Sequence, residues 1–168
     1  TWTGAGDDAA GLDRYRVLFD QLASTIPDDT TTVAHAADPH GTSGGPLAEG
    51  LWYFHLSTCD EADNCTSTVH RGPYGIDTTA PSAPGTVSSS SHSATPVADT
   101  TIDASWIAAT DALSGVASYR YDFTTSATPP ACGSLGSTTA STSATSAALA
   151  HGSWYTHVCA VDNAGNMG

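Results

Sequence analysis

Aspartate and asparagine side chains gather in a few short stretches of the sequence, and together they could form a calcium site. Calcium takes six to eight oxygen ligands, which carboxylates and amide carbonyls from several loops supply. The same side chains also cap turns by bonding to nearby backbone groups, so a chain with no metal is the alternative. The candidate ligands are Asp77, Asp111, Asp162, Asn163, Asp7, Asp60 and Asp63.

Catalytic and zinc chemistry have weaker support in the residue pattern. A serine nucleophile needs a base within hydrogen-bond reach, and although the chain has seven histidines it has no Gly-x-Ser-x-Gly motif. Paired carboxylates for glycoside hydrolysis need a cleft, which short β modules rarely build. A zinc site would use His55 with Cys59 or His157 with Cys159, but the two spacings differ and no Cys-x-x-Cys occurs. We therefore expect no catalytic residues and no enzyme.

The chain repeats itself with a period of about one hundred residues. The stretch 154–166 matches 52–64 at an offset of 102, and 106–123 matches 2–19 at an offset of 104. Trp, Asp, Gly, Tyr and Phe recur in the same order in both copies. Such a period fits one β-sandwich per repeat.

Alternating apolar and polar residues in both copies predict half-buried β-strands, each followed by a turn rich in Asp, Asn and Gly. No segment has sustained helical periodicity. Every second residue, including His55 and His157, is expected to face outward. The predicted core residues are Trp2, Tyr15, Trp52, Phe54, Trp106, Tyr119, Tyr121, Trp154 and Val158.

The predicted organisation has three parts: a first module over 1–75, a proline-containing junction over 76–84 and a second module over 85–168. Two prolines in the junction, Pro81 and Pro84, stiffen it and cannot lie in a central strand. By comparison of the two copies, the first module lacks its opening strands and the second lacks its last strand. We expect either a fragment of a longer array or strands supplied by a neighbour across open sheet edges.

Composition limits the classes of partner. The formal net charge is −13, with four Lys plus Arg residues against 17 Asp plus Glu, so nucleic acid and anionic membranes are disfavoured. No stretch approaches the roughly twenty apolar residues of a membrane span. We therefore expect neither nucleic-acid binding nor membrane insertion.

Four cysteines, an even number, point to an oxidising, extracellular setting. Cys59 and Cys65 bracket a predicted hairpin turn, and Cys132 and Cys159 can form a second disulfide between a loop and a strand. Asn64-Cys65-Thr66 fits an N-glycosylation acceptor. The predicted location is extracellular or cell-surface.

Three local patterns resemble fibronectin type III-like and bacterial immunoglobulin-like repeats of large secreted bacterial proteins and adhesins. They are Asp77-Thr-Thr-Ala-Pro81, the Trp…Asp…Ser-Gly-Val…Tyr pattern of 106–119, and Gly-x-Trp-Tyr-x-His-Val-x-Ala-Val-Asp-Asn-Ala-Gly-Asn over 152–166. The resemblance implies an all-β fold of tandem immunoglobulin- or fibronectin III-like β-sandwiches, incomplete at both chain ends. It also implies calcium binding at junction aspartates and no catalysis.

These observations predict a structural extracellular repeat module of a surface filament, stalk, sheath or adhesin. Its expected partners are other copies or flanking repeats of the same protein, with host or matrix glycans as a second class. The alternative is a carbohydrate-binding accessory module of a secreted hydrolase. An outward row of aromatic residues would favour that alternative, whereas the inward alternation of tryptophans disfavours it.

Overall fold

The computed structural model describes residues 1, 11–34, 42 and 45–168. Within them the chain is all-β, with antiparallel strands and one 3-10 turn. It divides into two compact units, Thr1–Ile76 and Asp77–Gly168. Of the predicted junction over 76–84, the residues from Asp77 onward belong to the second unit. The predicted core residue Trp2 and the predicted ligand Asp7 lie outside the described residues. No helix among the described residues has the length and apolar character to cross a membrane.

Unit 1 contains one four-stranded antiparallel sheet in the order β2-β1-β3-β4. On β1, Tyr15 and Val17 alternate with polar residues and are buried, which explains why the segment forms a half-buried strand. Phe54 is half-buried and its ring centroid lies 5.0 Å from that of Phe19. The strands are β1 (Leu12–Asp20), β2 (Thr32–Ala34), β3 (Gly50–Asp60) and β4 (Val69–Ile76).

Unit 2 contains two three-stranded antiparallel sheets, ordered β10-β7-β8 and β5-β6-β9. A 3-10 turn, Cys132–Ser134, lies in the long segment between β7 and β8. The strands are β5 (Val87–Ser89), β6 (Asp103–Trp106), β7 (Val116–Thr124), β8 (Ser137–Thr139), β9 (Ser143–Thr145) and β10 (Tyr155–Asp162).

Aromatic side chains from both sheets form the core of unit 2. Trp106 on β6 contacts Tyr119 on β7, with ring centroids 5.5 Å apart, and both are buried. Ala160 on β10 is fully buried beside them, and Tyr121 and Val158 pack against this cluster while partly buried. A few large aromatic groups thus supply the buried area that the chain's low aliphatic content does not.

The other two predicted core tryptophans lie at the margin of the packed regions. Trp52 and Trp154 are half-buried. The indole nitrogen of Trp52 donates to the carbonyl oxygen of Ala48 at 2.8 Å, and that of Trp154 donates to Ala150 at 3.0 Å. Each indole is partly covered while its N–H reaches a backbone carbonyl, the usual arrangement for a tryptophan side chain with one polar atom.

The expectation that His55 and His157 face solvent is wrong. His55 is 0% exposed and its Nε2 lies 3.0 Å from Asp20 Oδ1. His157 is 9% exposed, with Nε2 3.0 Å from both Thr124 Oγ1 and the carbonyl oxygen of Ser126. Alternation identifies the residues that share a face, but a face pointing away from the core can still be covered by a loop.

Two disulfides join Cys59 to Cys65 and Cys132 to Cys159, the pairs expected from the sequence. The first closes the hairpin turn after β3, and the second attaches the 3-10 turn to β10. Disulfides persist in oxidising compartments, so the chain belongs in a non-cytoplasmic environment.

Candidate metal centre

Three carboxylates of unit 2 converge at one end of the β7–β10 pair. Because these strands are antiparallel neighbours, the end of β10 lies beside the start of β7, and Asp162 pairs in register with Val116. Asp111 lies in the loop that leads into β7, and Asp77 is the first residue of the unit. One oxygen of each aspartate lies within 4.8 Å of the other two. The structure therefore brings together three of the predicted calcium ligands.

The spacing of these oxygens suits a calcium ion. Calcium–oxygen distances are about 2.3–2.6 Å, so two ligands on opposite sides of an ion lie roughly 4.8 Å apart. Asp162 is 2% exposed, whereas Asp77 and Asp111 are half-buried. The cluster therefore combines one buried anchor with two carboxylates that solvent can reach.

Asp162 is held in its ionised form by the turn that follows β10. Its Oδ1 accepts a hydrogen bond from the backbone N–H of Asn166 at 2.8 Å, and its Oδ2 accepts one from Asn166 Nδ2, also at 2.8 Å. Burial by itself raises the pKa of this carboxyl, but hydrogen bonds from Asn166 and from the Gly165 and Ala164 backbone outweigh burial and hold the pKa below its usual value.

Asp77 and Asp111 also cap turns, as the alternative interpretation expected. Asp111 Oδ1 accepts the backbone N–H of Gly115 at 2.7 Å, while Asp77 accepts those of Thr79 at 3.1 Å and Ser114 at 3.0 Å. An ionised carboxylate has about four lone-pair sites. Capping therefore leaves acceptor capacity on these side chains, and the two roles are compatible.

Within unit 2, no arginine or lysine neutralises the three carboxylates. Across residues 77–168, all of which the structure describes, Arg120 is the single Arg or Lys side chain, and it donates to the carbonyl oxygen of Leu135 at 2.7 Å. Next to Asp77, the hydroxyl oxygen of Ser114 is buried without a hydrogen-bond partner. The site thus has uncompensated negative charge and one additional hard oxygen nearby.

Two asparagine side chains donate hydrogen bonds to backbone carbonyl groups around the site, and only one of them was predicted from the sequence. Asn163, a predicted ligand, directs its amide nitrogen to the carbonyl oxygens of Ser114 and Gly115, at 2.8 and 3.0 Å. Asn166 was missed, although its Nδ2 also donates to the backbone oxygen of Asp77 at 3.2 Å. Its recurrence at the matched position of the first copy, Asn64, was the signal that could have revealed it.

Unit 1 contains the same turn, but its described residues include no matching cluster of three carboxylates. Asp60 Oδ1 accepts the backbone N–H of Asn64 and Oδ2 accepts Asn64 Nδ2, both at 2.8 Å, and these bonds, led by the Asn64 side chain, lower the pKa of Asp60. Asp63 forms an ion pair with Arg14. Of the predicted ligands in this unit, Asp60 therefore supports its own turn and Asp63 is neutralised by a cation.

The sequon at Asn64 lies inside this turn. The Nδ2 atom, which a glycan would modify, is the donor that holds Asp60 at 2.8 Å. The next residue, Cys65, is bonded to Cys59. Glycosylation would replace one of the two hydrogens on this nitrogen, so the sugar would lie directly beside the bond to Asp60.

A serine–histidine contact in unit 2 closes a turn. Ser91 Oγ lies 2.9 Å from His92 Nδ1, in the segment between β5 and β6. The same hydroxyl oxygen accepts the backbone N–H of Asp103 at 2.9 Å. These two bonds hold the loop between β5 and β6 in place. The Ser91 hydroxyl is therefore used in the structure of the loop.

The outer face of β10 does not present a row of aromatic rings to solvent. Tyr155 is 43% exposed. The residues that follow it on the same face, His157 and Cys159, are buried and the second is in a disulfide. This face therefore offers a single ring rather than the row that sugar binding would favour.

Searches of protein-family models, curated proteins and solved structures find no match. The resemblance to fibronectin III-like and immunoglobulin-like repeats rests on the three sequence patterns. Each pattern supplies one carboxylate of the cluster: Asp77 from the first, Asp111 from the second and Asp162 from the third. The cluster is therefore the place where the recurring sequence features meet in space.

Proposed function

We propose that this chain is a structural segment of an extracellular tandem-repeat protein, of the surface filament, stalk, sheath or adhesin type. The observation that carries the proposal is the duplicated hairpin turn. The backbone N–H of Asp60 donates to the carbonyl oxygen of Asn64 at 3.0 Å, and that of Asp162 donates to Asn166 at 3.1 Å. A turn repeated in this detail after 102 residues indicates duplicated building units.

The arrangement of unit 2 supports a fibronectin III-like or immunoglobulin-like sandwich within this proposal. Two three-stranded antiparallel sheets contribute facing aromatic residues, Trp106 from one and Tyr119 from the other. Such sandwiches pack two antiparallel sheets over one core of alternating inward residues. The disulfides and the net charge of −13 support placing the protein outside the cell.

Within this role, the cluster of Asp77, Asp111 and Asp162 binds calcium. The calcium ion offsets the negative charge of the three carboxylates, which no arginine or lysine of unit 2 neutralises. It also joins Asp77, the first residue of the unit, to Asp162 at the turn after β10. The chain entering unit 2 is thereby fastened to that unit, as is required of a repeat that transmits force along a stalk or filament. Neighbouring repeats or copies of the same protein are the proposed partners.

Differential scanning calorimetry of the full chain, in calcium and in the chelator EGTA, tests the calcium site. Binding at one hundred times the dissociation constant stabilises by about 2.7 kcal/mol. For a unit of this size, 1 kcal/mol shifts Tm by about 4–8 °C, so the transition of unit 2 is expected to rise by about 10–20 °C.

Matched variants separate calcium binding from turn capping. Asp111→Asn removes one ligand charge and is expected to abolish the calcium-dependent shift. Asp99→Asn is the control, because Asp99 also caps a turn, accepting the backbone N–H of Thr101 at 2.9 Å, but lies outside the cluster. An unchanged Tm on adding calcium, or an equal shift in Asp111→Asn, would contradict the proposal.

A further inference from the structure

Two histidines and an aspartate form a hydrogen-bonded chain across three strands of unit 1. His55 on β3 lies directly opposite His70 on β4, and their Nδ1 atoms are 2.7 Å apart. On the other side of the ring, Nε2 of His55 lies 3.0 Å from Oδ1 of Asp20, the last residue of β1. His55 is 0% exposed and His70 is half-buried. The buried imidazole of His55 therefore has a partner on each of its two nitrogens.

Asp20 determines which nitrogen of His55 carries the proton. Burial raises the pKa of Asp20, but the hydrogen bonds that the carboxylate accepts outweigh burial and hold this pKa below its usual value. An ionised carboxylate only accepts hydrogen bonds, so Nε2 of His55 is the donor. In the neutral ring Nδ1 is then an acceptor, and the hydrogen bond between the two histidines requires a proton on Nδ1 of His70.

The space between the two Nδ1 atoms accommodates one proton. His70 can gain a further proton on Nε2 and still donate from Nδ1, so a single positive charge is compatible with the contact. A proton on Nδ1 of His55 would instead place two N–H donors against each other across 2.7 Å. Like charges on directly opposite residues of neighbouring strands also repel each other. The pair therefore binds one proton fewer than two histidines that have separated in acid.

The other ionisable groups around the pair do not remove this repulsion. On the same face of β1, Arg16 is neutralised by Asp29, with 2.6 Å between the guanidinium and the carboxylate. The ring of Tyr53 on β3 stacks 6.5 Å from that of His55, and a phenol carries no charge in neutral or acidic solution. Asp20 supplies one negative charge against the two positive charges that acid adds.

We propose that the His55–His70 pair is an acid-sensitive contact, which holds β4 against β3 at neutral pH and releases it below about pH 6. The released strand binds one proton more than the paired strand, and the state that binds more protons gains population as the pH falls. Release therefore increases about tenfold per pH unit. Within the described residues β4 pairs with β3 alone, so it can separate while β1 and β3 stay paired.

Hydrogen exchange of the full chain between about pH 7 and pH 4.5, expressed as protection factors, tests the proposal. The β4 amides that are protected at neutral pH should lose protection about tenfold per pH unit below about pH 6, while Tyr15 and Val17 of β1 keep theirs. His70→Asn replaces the ring with an amide that can donate to His55 when that ring is neutral and accept from it when it is charged. In this variant the protection of β4 should stay nearly constant.

His92→Asn in unit 2 is the matched control. Nδ1 of His92 lies 2.9 Å from a serine hydroxyl, which can change from donor to acceptor when the ring gains a proton. This variant should therefore leave the pH dependence of β4 unchanged. A second test is nitrogen-15 NMR at about pH 8, where histidine side chains are mostly neutral. It reports which nitrogen of each ring carries the proton, and we expect Nε2 in His55 and Nδ1 in His70.

Two results would overturn the proposal. One is an equal pH dependence of β4 protection in the wild type and in His70→Asn, and the other is a proton on Nδ1 of neutral His55. Asp20, His55 and His70 all belong to unit 1. The outcome is therefore independent of the calcium site proposed in unit 2.

Discussion

Replacing Tyr119 with Phe tests the energetic role of one buried hydroxyl in unit 2. The oxygen of Tyr119 accepts the backbone N–H of Ala109 at 3.0 Å, and both residues are buried. Phenylalanine keeps the ring that contacts Trp106 and removes only the acceptor. The variant therefore isolates the cost of leaving a buried backbone donor without a partner.

The expected cost follows from desolvation of that donor. A buried group left unsatisfied costs about 1–3 kcal/mol, more than the net value of an exposed hydrogen bond. Near the middle of that range, about 2 kcal/mol lowers the Tm of a domain of this size by roughly 8–16 °C. Since the hydroxyl is small and its ring is retained, the cavity contribution is minor.

Urea denaturation followed by tryptophan fluorescence, together with calorimetry, measures the effect. Tyr121→Phe is the matched control, since Tyr121 lies on the same strand face, is only partly buried, and has a hydroxyl that makes no hydrogen bond within residues 77–168. The control should change the free energy of unfolding by less than about 0.5 kcal/mol. Equal stabilities of the two variants would show that Ala109 finds another partner and that this reasoning is wrong.

Two further predictions concern the ends of β7 and β10. The pKa of Asp162 is lowered in the folded protein, so its stabilisation is complete above its unfolded pKa of about 3.9 and is lost as pH falls through the folded pKa. Urea unfolding at stepped acidic pH should therefore show a steeper loss in the wild type than in Asp162→Asn; parallel profiles would contradict this. Gly115 has a φ of +77°, so Gly115→Ala should cost about 1–2 kcal/mol by thermal unfolding, whereas Gly133→Ala, with nothing within 4 Å of the new Cβ, should be nearly neutral.

The regular part of the fold could be predicted from the sequence where alternation is strong. The alternation of large apolar residues in β1 and β7 predicts strands over 12–20 and 116–124, and the structure has those bounds. The alternation also predicts a strand over 51–58. The structure has a longer strand, Gly50–Asp60, because pairing with β4 begins at Gly50 and pairing with β1 continues to Asp60. The division into two units near residue 76 follows from the repeat and the prolines.

Contacts between distant residues could not be predicted in this way. Arg14 and Arg16 both bond to Asp29, which lowers the pKa of that carboxyl, and nothing in the local pattern pairs them. The burial of His55 depends on Asp20, 35 residues away. The convergence of Asp77, Asp111 and Asp162 is an exception, because the antiparallel order of strands determines which loops share one end of a sheet.

The Cys132–Cys159 bond, described as an attachment of the 3-10 turn to β10, also determines how unit 2 responds to tension. The two cysteines are 27 residues apart in the chain, and a fully extended segment of that length spans about 90 Å. While the bond is intact, this length cannot be released when the ends of the chain are pulled. Unit 2 with the disulfide intact therefore extends less on unfolding than it does with the disulfide reduced. The redox state of its surroundings thus determines the length of the unfolded unit.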